Sequence, residues 1–531
     1  MIHTTSNMAE NYYLGLDLST QQLKCTLINE NHDIVLEEAI NFDKDLSEFG
    51  TVHGAIVDDN VVTSPTLMWV KALDLLLTRL KDSPYVGSIR GISGAGQQHG
   101  SVYWNKEGLE QLSNLDPTKS MYEQLDNAFS IQQSPIWQDA STTTECRALE
   151  KSVGGAEALA KLTGSKAYER FTGNQIAKIY HNNRKAYDET ARIGLVSSLL
   201  SSLLLGKFGP VDAAEGSGTN MMDINSHKWD SKLLKQCGGD ELQEKLAEEP
   251  VEGGEALGKI SGYLVKRYGF NANCRVMPFT GDNSATLVSM NLSEGDCVVS
   301  LGTSDTVLVY LKKGAAEPTT ESHLMAHPTD PEGFMGMLCY KNGSLAREYI
   351  RNSYANGSWD EFNEYLINKE AMAEGNIGFY YWMQEIIPFA KGIYRFEDSK
   401  AVEEFKDKTI NVKAIVESQF MSMRIRLERM GGNSIKRILA SGGAAANPNI
   451  LQLLSNVLGL PVYRQQGMNG ASLGGALLAK FGTVKNASFE DMMAQHPSAG
   501  LELICKPDLE KTKQYISHVG QFTDLEKKIV Q

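Results

Sequence analysis

The 531-residue chain lacks a long hydrophobic run, a surplus of positive charge and any closely paired cysteines. Its most apolar stretch, residues 193–205, is broken by Ser197, Ser198, Ser201 and Ser202. It falls short of the ~20 apolar residues a membrane-spanning helix needs, so it is expected as a packed helix. Residues 1–11 are polar and carry no apolar segment of the secretory type, which points to a cytoplasmic protein. With 51 Lys and Arg against 65 Asp and Glu, the net charge is −14. That balance argues against nucleic acid or an anionic membrane as a partner, since both call for a basic face. The seven cysteines are odd in number and scattered, without a C-x-x-C pair. This excludes a disulfide framework and a structural zinc site.

Two familiar nucleotide fingerprints are also missing. The loop Gly94-Ala-Gly-Gln-Gln-His99 starts like a dinucleotide turn but has His99 where the third glycine belongs. Gly253-Gly-Glu-Ala-Leu-Gly-Lys259 imitates a phosphate loop, yet Ile260 stands where a hydroxyl would be needed for Mg²⁺. What remains is ordinary globular composition, 42% apolar and 22% charged, on a chain long enough for two or more domains.

The present features begin with Tyr13-Leu-Gly-Leu-Asp-Leu-Ser-Thr20, an alternating strand that runs into a polar turn and returns as Leu23–Ile28. Asp17 is a carboxylate inside that apolar strand. It needs a partner, because an unpaired buried charge is strongly disfavoured. Capping of the turn and the holding of a metal–polyphosphate both satisfy it. A third strand at residues 33–42 makes a meander, and Ser64-Pro65 opens a helix reaching Lys81. A strand then ends in the loop carrying Gln97, Gln98 and His99, uncharged polar groups suited to sugar hydroxyls. Strand–helix–strand alternation indicates an α/β fold.

Trp137 and Asp139 pair an aromatic face with a carboxylate, as a sugar site or a buried brace would. Arg170 fits either a ligand hydroxyl or a surface carboxylate. Residues 213–223 are small and polar and read as a loop. Gly281-Asp282-Asn283-Ser284 opens a helix expected at residues 285–290, and for Asp282 at its N-terminus capping and service as an ionised general base are both consistent with the helix dipole. Asp296–Leu301, Gly302-Thr-Ser-Asp305 and residues 306–311 repeat the opening design, so the chain reads as an internal pseudo-repeat of two related halves. Two such turns can present backbone N–H groups to a polyphosphate. A helix at residues 412–429 carries Arg424, Arg426, Glu428 and Arg429 as an expected solvent face. Strand Arg437–Ser441 leads into Gly442-Gly443, a close-approach turn for a nucleotide, and the small-residue helix at residues 471–480 is expected to pack beneath it.

Taken together, Asp17-Leu-Ser-Thr20, Gln98-His99-Gly100, Trp137 with Asp139, Gly281-Asp282-Asn283, Leu301-Gly-Thr-Ser304 and Ser441-Gly-Gly-Ala444 resemble the FGGY carbohydrate kinases over residues 12–482. Within the family, residues 45–51, 94–101 and 171–178 are most similar to the eukaryotic kinases that act on D-xylulose. The resemblance implies two ribonuclease-H-like domains of the actin/Hsp70/sugar-kinase type with an active-site cleft between them. Residues 1–290 would carry the sugar site and first phosphate hairpin, and residues 291–531 the nucleotide and second hairpin. It further implies Asp282 as the catalytic base, and His99, Arg170, Asn283, Gln98, Asp139 and Asp282 as sugar contacts. Thr20, Gly302, Thr303, Trp359, Gly442, Gly443 and Asn447 would contact ATP, with Mg²⁺ on Asp17. The implied reaction is phosphoryl transfer from ATP to the 5-hydroxyl of D-xylulose. Other readings are a kinase for ribulose, gluconate or glycerol, and a non-catalytic ATP-driven clamp of the same superfamily.

Overall fold

The computed structural model describes residues 10–465, 470–484, 487–495 and 500–530. Two units divide the chain. The first comprises Met1–Asn291, Met325–Glu332 and Met468–Ser498, and the second Leu292–Leu324, Gly333–Gly467 and Ala499–Gln531.

In the first unit β1 (Tyr12–Leu18), β2 (Gln22–Ile28) and β3 (Ile34–Asn41) form the expected antiparallel meander. β4 (Ile89–Gly96) runs parallel to β1, and β5 (Arg275–Gly281) parallel to β4, giving the order β3-β2-β1-β4-β5. A right-handed sheet twist and parallel crossovers require helices on both faces, and both are covered. On one face lies helix Val196–Leu205, buried along its whole length. Two of its serines are satisfied locally, Ser201 and Ser202 both donating to the Ser198 carbonyl. Residues 193–195, read above as part of this helix, instead finish strand Thr190–Leu195. Helix Thr66–Lys81 begins just after the predicted signal, because Ser64 and Pro65 end a short strand. The Ser64 hydroxyl donates to the Gly54 carbonyl at 2.8 Å instead of capping.

The other face is covered by helix Ala471–Phe481. The expectation that it packs beneath the Gly442-Gly443 turn is wrong; it lies on β1, β4 and helix Asp282–Ser289. The approach is backbone to backbone. A β-carbon on Gly15 would stand 1.9 Å from the Ser472 carbonyl, and one on Gly475 would stand 2.6 Å from the Gly94 Cα. The Thr26 and Ser472 hydroxyls share a buried hydrogen bond at 2.8 Å across the same contact.

The second unit repeats the plan. β6 (Asp296–Leu301), β7 (Asp305–Lys312) and β8 (Gly333–Tyr340) are antiparallel neighbours. β9 (Arg437–Ser441) runs parallel to β6, and β10 (Val462–Gln465) parallel to β9. The order β8-β7-β6-β9-β10 matches the five strands named in the first sheet, with further edge strands completing a six-stranded and a seven-stranded sheet, so the pseudo-repeat is real and each half has the ribonuclease-H-like arrangement. Helix Ile410–Arg429 is central here, and the expected solvent face holds only in part: Arg429 and Glu428 reach solvent, but Arg426 is buried. Its guanidinium donates to Glu526 at 2.9 Å and to Glu321 at 2.8 Å, and Arg424 donates to the Val457 carbonyl at 2.7 Å. Among the described residues no helix is long and apolar enough to cross a membrane.

Candidate active site

In the first unit, the carboxyl ends of β1, β4 and β5 bring Asp17, the Gln97-Gln98-His99 loop and Asp282 together. Ligands of open α/β sheets bind at this end of the strands. Asp17 pairs in register with Ala95 of β4, and Gly281, the residue before Asp282, pairs with Gly96. Ser19 donates to Asp17 Oδ2 at 2.7 Å, while Oδ1 is buried without a hydrogen-bond partner. Burial pushes the Asp17 carboxyl up to about 6, against the opposing pull of the Ser19 hydroxyl and Lys24.

Asp282 is the first residue of helix Asp282–Ser289, and its Oδ1 accepts from the Asn283 N–H at 2.8 Å. The helix terminus was expected to let it stay ionised at neutral pH. Instead its carboxyl is pushed up to about 7, first by burial and then by the negative charge of Asp17. Part of the side chain remains exposed, but the packed protein around it still weakens hydration of the charge. A carboxyl near neutrality is well matched to a proton-accepting task.

Gln98 and His99 are both buried. Gln98 Oε1 accepts from Asn283 Nδ2 at 3.0 Å, joining two predicted sugar contacts. His99 takes a left-handed backbone conformation (φ 70°), which turns its ring onto Phe171 with centroids 4.3 Å apart. Its Nδ1 lies 2.8 Å from the Gly218 carbonyl. A carbonyl only accepts, so Nδ1 carries the proton and Nε2 is left as an acceptor. Burial, then the Arg170 charge, lowers the ring to about 3, so it is neutral at physiological pH. The Arg170 guanidinium lies over Tyr168 at 4.7 Å and near the Phe171 ring at 5.5 Å.

Two expected residues sit differently. Asp139 accepts from the Val62 N–H at 3.0 Å, the Ser141 N–H at 2.9 Å and Gln175 Nε2 at 2.7 Å. It is an internal brace for three segments, not an open sugar contact. Trp137 is 43% exposed, and its indole N–H donates to the Thr20 hydroxyl at 2.8 Å, bracing the first hairpin turn.

Two acids that the sequence reading passed over stand beside the site. Asp212 and Glu215 are each 2% exposed; Glu215 lies in the stretch read as a small polar loop and Asp212 immediately before it. Asp212 caps the one-turn helix Ala213–Gly216 and accepts from Thr280 on β5 at 2.6 Å. Ser197 donates to Glu215 Oε2 at 2.7 Å. Burial raises Asp212 to about 7 and Glu215 well above the usual carboxylate range.

In the second unit the turn between β6 and β7 carries Gly302 and Thr303. It is held by the Ser344 N–H, which donates to the Gly302 carbonyl at 2.9 Å. Asp305, just after the turn, receives Arg347 Nη1 at 2.7 Å and Nη2 at 3.0 Å, a fully buried bidentate pair. Gly442 (φ 85°) passes so close to β6 that a β-carbon would stand 2.6 Å from the Leu301 carbonyl, while Gly443 faces open space. Asn447 caps helix Pro448–Leu458 and donates to Asn363 at 2.6 Å. A cavity of about 600 Å³ is lined by Trp359, Asn363, Gly443, Ala444, Asn447 and Ile450 among others. It unites three predicted nucleotide residues, with Trp359 stacked under the Arg351 guanidinium at 4.5 Å.

Family models for the N-terminal and C-terminal domains of the FGGY family of carbohydrate kinases match residues 12–289 and 297–482. The chain is 43% identical over 525 residues to a xylulose kinase of Rattus norvegicus, covering 97% of both chains. It is 44% identical over 495 residues to xylulose kinase 2 of Arabidopsis thaliana, covering 90% of this chain and 88% of that one. Its fold is shared with the xylulose kinase of Rhodospirillum rubrum (TM-score 0.79, 16% identity, 98% and 99% covered). Glycerol kinase of Plasmodium falciparum with ADP is similar to a like degree (TM-score 0.75, 16% identity, 97% and 98% covered). With both domain models matched in chain order and full-length relatives above 40% identity, the chain belongs to the FGGY carbohydrate kinases.

Proposed function

We propose that this kinase transfers the γ-phosphoryl group of ATP to the 5-hydroxyl of D-xylulose, working in the cytoplasm. The observation that carries the reading is the pair of acids at one strand end, Asp282 near neutral pKa and Asp17 with an orphaned oxygen. Asp282 takes the proton of the acceptor hydroxyl as that oxygen attacks phosphorus in line. A positioned base of this kind contributes ~10²–10⁴-fold. Neutral His99 offers Nε2 as an acceptor, Gln98 and Asn283 offer amides, and Arg170 adds donors, which together suit a polyhydroxylated ketose.

Asp17 is the residue that would hold Mg²⁺. A buried carboxylate oxygen without a donor fits a cation. Among the described residues no cluster of three or more ligating side chains is present. When bound, Mg²⁺ supplies positive charge that offsets charge building on the transferring group. Thr20, Gly302 and Thr303 present turn N–H groups and hydroxyls to the phosphates, and Trp359, Gly442, Gly443 and Asn447 receive the nucleoside. Release of ADP measured across ketoses and polyols, including D-xylulose, ribulose, gluconate and glycerol, tests the assignment. D-xylulose is expected to give the largest kcat/KM. Stimulation by none of them would refute the kinase reading, and a stronger response to another sugar would refute the substrate.

A further inference from the structure

Glu215 has no part in the roles assigned so far, yet its setting is that of a ligand-facing group. Only Oε2 is engaged, by the Ser197 hydroxyl at 2.7 Å, and Oε1 receives no hydrogen bond from the described protein. Oε1 lies 2.8 Å from the point where a β-carbon on Gly281 would stand, and Gln98 Nε2 lies 2.6 Å from the same point. The carboxyl and the amide thus flank the bare backbone immediately before Asp282. Gln98 Nε2 is itself directed only at the Met325 sulfur, at 3.6 Å, a weak acceptor.

The turn that presents Glu215 is rigidly built. Asp212 receives the Glu215 N–H at 3.2 Å and the Thr280 hydroxyl, tying the turn to β5. The Ser217 hydroxyl accepts from the Ala326 N–H at 2.9 Å, and the Gly218 carbonyl receives His99. One short segment therefore holds the imidazole on one side and the strand end bearing Asp282 on the other. An almost fully buried carboxyl with one oxygen unmatched is left for water or a ligand to complete.

We propose that Glu215 is a further sugar-contact residue, its Oε1 exchanging a hydrogen bond with a hydroxyl of the acceptor beside Gln98 and Asn283. Burial raises the pKa of the carboxyl and so favours a protonated form that can donate as well as accept. The inference rests on the D-xylulose reading above and names another side chain of that site.

Titration calorimetry of the full-length kinase with D-xylulose in the absence of ATP measures the contact directly. Glu215→Ala is expected to raise the Kd about tenfold, the loss of one buried hydrogen bond. The ATP KM should stay unchanged. Glu215→Gln, nearly isosteric and able to keep the Ser197 contact, serves if the alanine variant folds poorly, and should weaken binding less. Among monodeoxy analogues of D-xylulose, one should bind wild type and Glu215→Ala equally, because it lacks the hydroxyl in question. A Kd within twofold of wild type in both variants, or a uniform loss across all analogues, would overturn the assignment. Wild-type protein that binds another ketose but not D-xylulose would instead overturn the substrate reading.

Discussion

At the scale of single residues, the chemistry turns on how burial tunes a few acids. Asp282 must be ionised to accept a proton, and its carboxyl sits near 7. Turnover should therefore fall as pH drops below about 7 and level off above about 8, as read from a kcat–pH profile at saturating Mg²⁺–ATP. Asp282→Asn should lower kcat by about 10²–10⁴-fold while D-xylulose still binds; near-normal turnover in this variant would remove Asp282 from the base role. The raised pKa also has a stability sign. The folded state holds this proton more tightly than the unfolded chain, so the group's ionisation destabilises the fold as pH rises from about 4 through 7. Without Mg²⁺, Asp282→Asn should raise Tm at pH 8, and the gain should shrink towards pH 5. Asp17 and Asp282 were both visible in the sequence, since an acid inside a strand–turn pattern is conspicuous. Asp212 and Glu215 were not, because nothing in a small polar stretch signals that long-range packing will bury it. Asp139 illustrates the reverse: its residue type suited a sugar, but four internal donors already engage its oxygens.

At the scale of elements, local periodicity foretold each hairpin and the helices Ile410–Arg429 and Ala471–Phe481 within a residue or two. What it could not foretell was which surfaces meet. Arg426 reads as solvent-facing by its neighbours in sequence, yet its partner Glu526 lies on the terminal helix Leu509–Val530. Glu526→Ala leaves that buried guanidinium with Glu321 as its carboxylate partner and the Ser422 hydroxyl beside it, and a loss of about 3 kcal/mol is expected in urea unfolding. Glycine 15 makes the same point for steric fit. Its missing β-carbon leaves room for the backbone of helix Ala471–Phe481, which cannot withdraw as a flexible side chain could. Gly15→Ala should destabilise by about 3 kcal/mol or more, measured by the same unfolding curve. A mild effect would mean the helix can shift off the sheet.

At the scale of the whole molecule, two copies of one sheet plan account for most of the chain, and the matching turn designs made that repeat legible. The division of the chain was harder to read, because the helix covering the first sheet is encoded some 190 residues after β5 ends. That separation carries a consequence for biosynthesis. A ribosome working from the N-terminus completes every strand of the first sheet long before it makes the helix that shields one face. The nascent first unit must wait with apolar backbone uncovered, a state prone to aggregation and to chaperone capture. Nonsense or frameshift lesions anywhere before residue 471 would then damage both units at once, although the residues assigned to sugar binding and proton transfer all lie upstream of residue 290.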